Sequence, residues 1–194
     1  MAAQDKKKLI IEAAAKVLLE KGIEKTKVSD IVKQASIAQG TFYLYFPSKL
    51  SVIPEIAKEI VEDMLTAIQR QVTENASFEQ QIDEVVDAYM AFTKDHRDTL
   101  QLLYAGLAQS EHFSQWEEIY NPLYDWVGQL LEEAKKKREL DGTVPTLFTA
   151  KFLVGTIESA AEQLYLYQRN EDEMAHQAHI GALLGFVKRA LGIQ

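Results

Sequence analysis

Residues 26–49 (TKVSDIVKQASIAQGTFYLYFPSK) constrain the fold of this chain more than any other stretch. The first half carries apolar residues at i, i+3, i+4 and i+7, which is the spacing of an amphipathic helix. A turn at residues 36–38 and a second short helix at residues 39–46 follow, and Pro47 then breaks the chain. Two short helices joined by a tight turn are the outline of a helix-turn-helix, whose second helix lies in the DNA major groove. Thr26 is the predicted N-cap of the first helix, whose apolar residues are Val28, Ile31, Val32 and Ala35.

Charge is distributed unevenly along the chain. The formal net charge is −8, which by itself argues against a nucleic-acid partner. Residues 1–50, however, hold nine lysines and five acidic residues and carry +4, whereas residues 51–194 carry −12. A basic head on an acidic body indicates a polyanion site at one end, although chance clustering of surface lysines would give the same pattern.

The residue composition excludes several kinds of site and segment. Because the chain has no cysteine, it can form no disulfide, no thiolate zinc site and no cysteine nucleophile. Charged residues interrupt the apolar residues of the first predicted helix, residues 5–21, so we interpret it as an amphipathic helix and not as a signal peptide. No window holds about 18 uninterrupted apolar residues. We therefore expect a cytoplasmic protein.

The rest of the chain predicts helices and no strand. Apolar residues recur with a helical period after residue 48, and no segment alternates with a period of two. We expect an all-α fold of about nine helices, with a helix-turn-helix domain at residues 1–47 and a ligand-binding and dimerisation domain at residues 48–194. The later helices are predicted at residues 48–73, 98–108, 115–139, 145–168 and 172–191, with another that starts after Ser77.

Residues 10–50 resemble the N-terminal domain of the TetR family of bacterial transcriptional repressors. The shared patterns are T-x-V-x-x-I in the second helix and Q-G-T-F-Y-x-Y-F-x-S-K after the turn. The resemblance implies an inducer pocket in the helical body and a two-fold dimer built on the eighth and ninth helices. Ser36 stands where the family often has glycine, and a left-handed conformation there would cost serine on the order of 1 kcal/mol.

The resemblance places the DNA contacts on the two short helices and just after them. Lysines can neutralise phosphates, and hydroxyl groups and the Gly40 amide can bond to phosphate oxygens. Gln39 can reach a base edge and Leu44 a thymine methyl group. Ordinary core packing is the alternative for Tyr43 and Tyr45. The predicted contacts are Lys27, Ser29, Gln39, Gly40, Thr41, Tyr43, Leu44, Tyr45 and Lys49.

Aromatic residues are frequent in the predicted body, and we expect most of them to belong to the core. The resemblance implies that some line a pocket for a small, largely hydrophobic effector. Glu158 and Glu162 share a helix face and could offer a charge to a cationic or hydroxylated ligand, or could simply be solvated. The candidate ligand-binding residues are Tyr89, Phe92, Tyr104, Trp116, Tyr120, Phe152, Glu158 and Glu162.

Small residues recur four positions apart in the last two predicted helices. This spacing lets helix axes approach closely, either between two copies or within one chain. Because two recognition helices must be joined to read a palindrome, we expect a homodimer through helices 8 and 9. The candidate interface residues are Gly155, Ser159, Gly181, Leu184 and Gly185.

These features together predict a ligand-responsive transcriptional regulator. We expect a repressor that binds double-stranded DNA at a palindromic operator and that its effector releases. We expect no enzyme activity, cofactor or metal, because the Glu-x-x-His at residues 173–176 has no second copy. Two alternatives stay open, namely a helical enzyme or carrier of a hydrophobic ligand, and an architectural DNA binder without a ligand.

Overall fold

The computed structural model describes residues 3–107, 117–167 and 173–193, and no strand occurs in these ranges. The prediction of an all-α fold is therefore confirmed. A 3₁₀ turn (Leu50–Val52) leads into α4, and a π-helical turn (Gln163–Tyr167) extends α8. The α-helices of the described ranges are α1 (Ala3–Lys21), α2 (Val28–Gln34), α3 (Gln39–Tyr43), α4 (Ile53–Gln71), α5 (Phe78–Asp95), α6 (Arg97–Leu107), α7 (Asn121–Lys136), α8 (Thr146–Glu162) and α9 (Glu173–Ala190).

Several helix ends follow from the residues that the sequence singles out. Ser77 caps α5 by accepting a hydrogen bond from the Gln80 amide at 3.3 Å. Pro122 lies in the first turn of α7, where a missing N–H costs nothing. The predicted helix start after Ser77 is therefore borne out, and Pro122 marks a break in the helix predicted over residues 115–139, because α7 begins anew at Asn121.

The first of two compact units contains the described parts of Met1–Val61 and Asp98–Ile119. Here α1 packs on α2, and α2 packs on α3. A methyl group on Gly106 of α6 would lie 2.4 Å from the Ile53 Cδ1 atom, so any larger residue there would force the Ile53 side chain at the start of α4 to shift. The unit thus takes in residues that the sequence-based boundary after residue 47 assigns to the second domain.

The second unit contains the described parts of Glu62–Arg97 and Tyr120–Gln194. Its central helix is α8, which packs against α5, α7 and α9. Lys188 of α9 donates to Glu79 and Asp83 of α5 at 2.9 Å each. These hydrogen bonds, first that to Asp83, raise the pKa of Lys188 and join the two helices.

The turn between α2 and α3 is a Schellman motif. The Ile37 amide donates to the Val32 carbonyl at 3.0 Å, and the Ser36 amide donates to the Lys33 carbonyl at 3.2 Å. Ser36 has a φ of 53°, so a serine occupies the left-handed position that glycine ordinarily takes. The expected left-handed conformation is present, and with it the strain of a non-glycine residue.

Ser36→Gly should raise the free energy of unfolding by roughly 0.5–1 kcal/mol, because glycine reaches a positive φ without strain. Urea denaturation followed by circular dichroism measures the change. The matched control is Ser29→Gly within α2, which should lower stability by a similar amount. A destabilising effect at both positions would contradict the left-handed assignment.

Candidate functional site

The short helix α3 buries one ring and leaves the two residues after it largely in solvent. Phe42 is fully buried, whereas Tyr43 is 51% and Leu44 82% exposed. The Tyr43 ring stands edge-on to Phe42 with centroids 5.6 Å apart. Packing in the core therefore buries only part of the Tyr43 side chain and little of the Leu44 side chain.

The other predicted DNA contacts lie mostly in solvent on these packed helices. Tyr45 and Thr41 are half-buried. Since α2 packs on α3, the side chains on the two helices are neighbours and can face one ligand. The exposed members are Lys27 and Ser29 on α2 and Gln39 and Gly40 on α3.

The start of α2 differs from the expected arrangement, in which Thr26 is the N-cap. Thr26 is 1% exposed, and its hydroxyl donates to the Gly22 carbonyl at 2.7 Å. Lys27 is the N-cap, and its amide donates to the Asp30 carboxylate at 2.9 Å. The assignment of Thr26 is wrong because its hydroxyl turns back to the end of α1.

Asp30 connects the start of α2 to α1. The Lys21 ammonium donates to its carboxylate at 2.7 Å. This hydrogen bond and the one from the Lys27 amide lower the pKa of Asp30 below its ordinary 3.8. The carboxylate also favours the helix start, where the dipole attracts negative charge.

Lys49 makes contacts that the sequence does not indicate. Its ammonium donates to the backbone carbonyl groups of Ile23 at 2.6 Å, Thr26 at 2.8 Å and Glu24 at 3.3 Å. The side chain is half-buried and directed at the connection between α1 and α2. Lys49, which the sequence predicts as a DNA contact, thus binds backbone carbonyl groups of its own chain.

A narrow apolar cavity of about 10 Å³ lies within the second unit. The helices α4, α5, α7, α8 and α9 supply its walls. Among the described lining residues, Tyr89 is the one that the sequence predicts as a ligand contact. The other lining residues are aliphatic and look like ordinary core in the sequence. They are Ile68, Ile82, Val85, Leu123, Val127, Leu130, Leu153, Val154, Ile157 and Val187.

A polar group adjoins this cavity at Tyr89. Tyr120 donates a short hydrogen bond to the Glu158 carboxylate. Burial, and next the neighbouring Tyr120 and Glu158, raise the pKa of the Tyr89 phenol well above its ordinary range. Tyr89 therefore stays a neutral hydrogen-bonding group at physiological pH.

The remaining predicted ligand residues are not brought together. Phe92 is buried and stacks on His96 with centroids 3.9 Å apart. Glu162 accepts from the Tyr167 hydroxyl at 3.0 Å, and Phe152 is 71% exposed. Tyr104 belongs to the first unit, and Trp116 lies outside the described residues.

An open groove of about 650 Å³ runs between α8 and α9. Gly155 and Ser159 form part of its floor, and the exposed rings of Phe152 and Phe186 flank it. Gly181 is also exposed, whereas Leu184 and Gly185 are half-buried. A Cβ atom on Gly155 or Gly181 would meet no described atom within 4 Å, so the packing of a single chain does not require these glycines.

The described residues provide neither a metal site nor a membrane-spanning helix. No group of three or more His, Asp or Glu side chains there could hold a metal ion. His179 instead meets the Ala160 carbonyl at 3.0 Å through its Nε2 atom. No helix in the described ranges is long and apolar enough to cross a membrane.

Two known sequence families match most of this chain. The sequence model "Bacterial regulatory proteins, tetR family" matches residues 10–59, and "Tetracyclin repressor-like, C-terminal domain" matches residues 82–191. The chain belongs to the TetR family. Its exposed α3 is thus the recognition helix of a DNA-binding transcriptional regulator, and the resemblance seen in the sequence is confirmed.

Individual TetR relatives cover nearly the whole chain. An uncharacterised HTH-type transcriptional regulator of Bacillus subtilis, YvdT, is 35% identical over 94% of this chain and 93% of its own length. The fatty acid metabolism regulator protein of the same organism is 24% identical over 86% and 87%. The structure of Bacillus subtilis FadR in complex with stearoyl-CoA matches with a TM-score of 0.72 at 22% identity, over 93% of this chain and 96% of that one.

The Asp30 contacts predict a specific dependence of stability on pH. Because folding lowers the pKa of Asp30, its carboxylate stabilises the fold at pH values above the ordinary pKa of 3.8, and this contribution is lost as pH falls through the folded pKa. Asp30→Asn keeps an acceptor for the Lys27 amide but removes the charge. The stability difference between wild type and Asp30→Asn should be largest near pH 6 and should shrink towards pH 3 in urea titrations. A difference that is constant with pH would contradict the ion pair.

Proposed function

We propose that this TetR-family protein is a repressor that binds a palindromic operator as a homodimer and leaves it when a hydrophobic effector binds. The observation that carries the proposal is the exposure of Leu44 and Tyr43 beside the buried Phe42. An apolar side chain that is 82% exposed at the end of a recognition helix gains from desolvation when it meets a thymine methyl group.

In the proposed complex, phosphate and base contacts are divided between the two helices. Lys27 on α2 neutralises a phosphate, and the Thr41 and Tyr43 hydroxyl groups bond to phosphate oxygens. Gln39 and Leu44 read base edges. The described helix α3 contains no arginine or lysine, so affinity depends on phosphates and sequence readout is modest.

Leu44→Ala tests this interface without disturbing the core. We expect binding to weaken about tenfold on a duplex that the wild-type protein has selected from a randomised library, because methyl contacts worth about 1.4 kcal/mol over the two half-sites are lost. Preference for thymine at one position of each half-site should also relax. The matched control is Leu19→Ala, a change of another exposed leucine on α1. Fluorescence anisotropy measures both variants, and equal affinities would remove Leu44 from the interface.

The groove between α8 and α9 is the proposed dimer surface. The exposed Phe152 and Phe186 supply apolar area, and Gly155 and Ser159 let a second helix approach closely. The open space around Gly155 and Gly181 supports contact between copies over packing within one chain. A homodimer also supplies the two-fold pair of recognition helices, about 34 Å apart, that a palindrome requires.

Gly181→Leu should prevent dimerisation and leave the fold of the single chain intact. Leucine favours a helix over glycine by about 1 kcal/mol, and its Cβ meets no described atom of the same chain. Analytical ultracentrifugation should find monomers for this variant and dimers for the control Gly181→Ala. A Gly181→Leu dimer of wild-type stability would place the interface elsewhere.

The effector is proposed to enter between the helices that line the apolar cavity. At about 10 Å³ the cavity has room for roughly one water, so an effector must push the helices apart. Ile68 of α4 lines it, and α4 is one uninterrupted helix from Ile53 to Gln71. Opening the cavity therefore moves the helix whose first turns belong to the unit with α3.

Long-chain acyl-CoA is the first effector class to test, because relatives include a fatty acid metabolism regulator and a FadR solved with stearoyl-CoA. Stearoyl-CoA should raise the melting temperature and release the selected duplex, and a ligand at 100 times its Kd adds about 2.7 kcal/mol of stability. Val154→Phe fills the cavity wall and should abolish the response. The same shift with CoA alone, or an unaltered response in Val154→Phe, would contradict this site.

The proposal places the protein in the bacterial cytoplasm with the DNA, and it assigns no catalytic role. The two Bacillus subtilis relatives described above are named as regulators, which supports a regulator over a helical enzyme or carrier. Wild-type protein that selects no duplex from the library, yet still binds acyl chains, would favour a carrier.

A further inference from the structure

We propose that Lys49 is a positioning residue of the DNA-binding unit and not a phosphate ligand. Its ammonium ties the chain that enters α4 to the connection between α1 and α2, and so holds the helix-turn-helix against the start of α4. The inference concerns the first unit alone, and for its effect on DNA it rests on the interface proposed above.

The Lys49 ammonium has as many acceptors inside the protein as it has hydrogen-bond donors. A lysine ammonium has three N–H donors and no acceptor. Three carbonyl oxygens lie within 3.3 Å of the Lys49 Nζ atom, those of Ile23, Glu24 and Thr26. Each donor therefore has an acceptor inside the protein, and a phosphate oxygen could bind only by displacing one of them.

The carbonyl groups themselves need this cation. They follow the end of α1, where Gly22 turns the chain with a φ of 77° and carbonyl groups have no helical partner. The negative end of the α1 dipole lies at the same place and favours a positive charge. Lys49 thus satisfies a cluster of backbone acceptors that would otherwise depend on solvent.

The backbone of Lys49 is also held in place. Ser48 and Ser51 on either side exchange amide-to-hydroxyl hydrogen bonds at 3.1 and 3.2 Å and fix the turn that begins α4. At the far end of the side chain, Thr26 directly precedes the Lys27 N-cap of α2. The side chain accordingly connects the turn before α4 to the residue that precedes the N-cap of α2, and α3 lies between them in the sequence.

Lys49→Arg separates positioning from phosphate binding because it keeps the charge. A planar guanidinium cannot direct its donors at three converging carbonyl groups, whereas phosphate accepts arginine as readily as lysine. We expect binding to the selected duplex to weaken about tenfold, or about 1.4 kcal/mol. Hydrogen exchange of the residue 22–27 amides in the free protein should accelerate as well. The matched control, Lys27→Arg, should keep wild-type affinity and exchange.

Salt dependence supplies a second test with Lys49→Met and Lys27→Met. Loss of one phosphate contact lowers the slope of log K against log [salt] by about 0.9. We expect this loss for Lys27→Met, with unchanged exchange at residues 22–27. Lys49→Met should weaken DNA binding but keep nearly the wild-type slope of log K against log [salt]. It should also speed hydrogen exchange of the residue 22–27 amides, in the extreme case because the first unit unfolds.

Two results would overturn the proposal. One is wild-type affinity and exchange in Lys49→Arg together with the full loss of slope in Lys49→Met, which is the behaviour of a phosphate ligand. The other is unchanged exchange at residues 22–27 in both variants. Hydrogen exchange is measured without DNA. It therefore tests the contacts between Lys49 and the α1–α2 connection even if the wild-type protein selects no duplex and the proposed function fails.

Discussion

The burial of Phe42 is the interaction on which the DNA-binding surface depends. A helix of five residues has no stability of its own, so α3 exists only because its ring is packed into the first unit. With Phe42 inside, the helical period turns Leu44 into solvent and leaves Tyr43 half in solvent. One buried ring thus fixes which side chains are available to DNA.

The neighbouring turns hold α3 by backbone contacts more than by side-chain area. A Schellman motif with a left-handed Ser36 sets the angle between α2 and α3. Thr26, Asp30 and Lys49 then attach the start of α2 to α1 and to the approach to α4. Hydrogen bonds between polar side chains and the backbone therefore help to define the geometry of this small unit, because a small unit can bury only a limited apolar area.

Local signals made part of the molecule predictable from the sequence. The α2 stripe, the Ser36 position, the Ser77 cap and the break at Pro122 each follow from residues within one or two turns. Thr26 and Lys49 were not predictable in the same way, because their acceptors are carbonyl groups, some of them more than 20 residues distant. The left-handed Arg138, with a φ of 63°, carries no sequence signal at all. The cavity lining was missed because its aliphatic residues have the pattern of any core.

In the proposed complex, two copies of α3 meet operator DNA one duplex turn apart. A hydroxyl-radical footprint on the duplex selected by the wild-type protein measures this most directly. We expect two protected patches of equal size, related by a dyad and about 10 base pairs apart on one face of the duplex. A single unbroken patch, or uniform weak protection along the whole fragment, would contradict it.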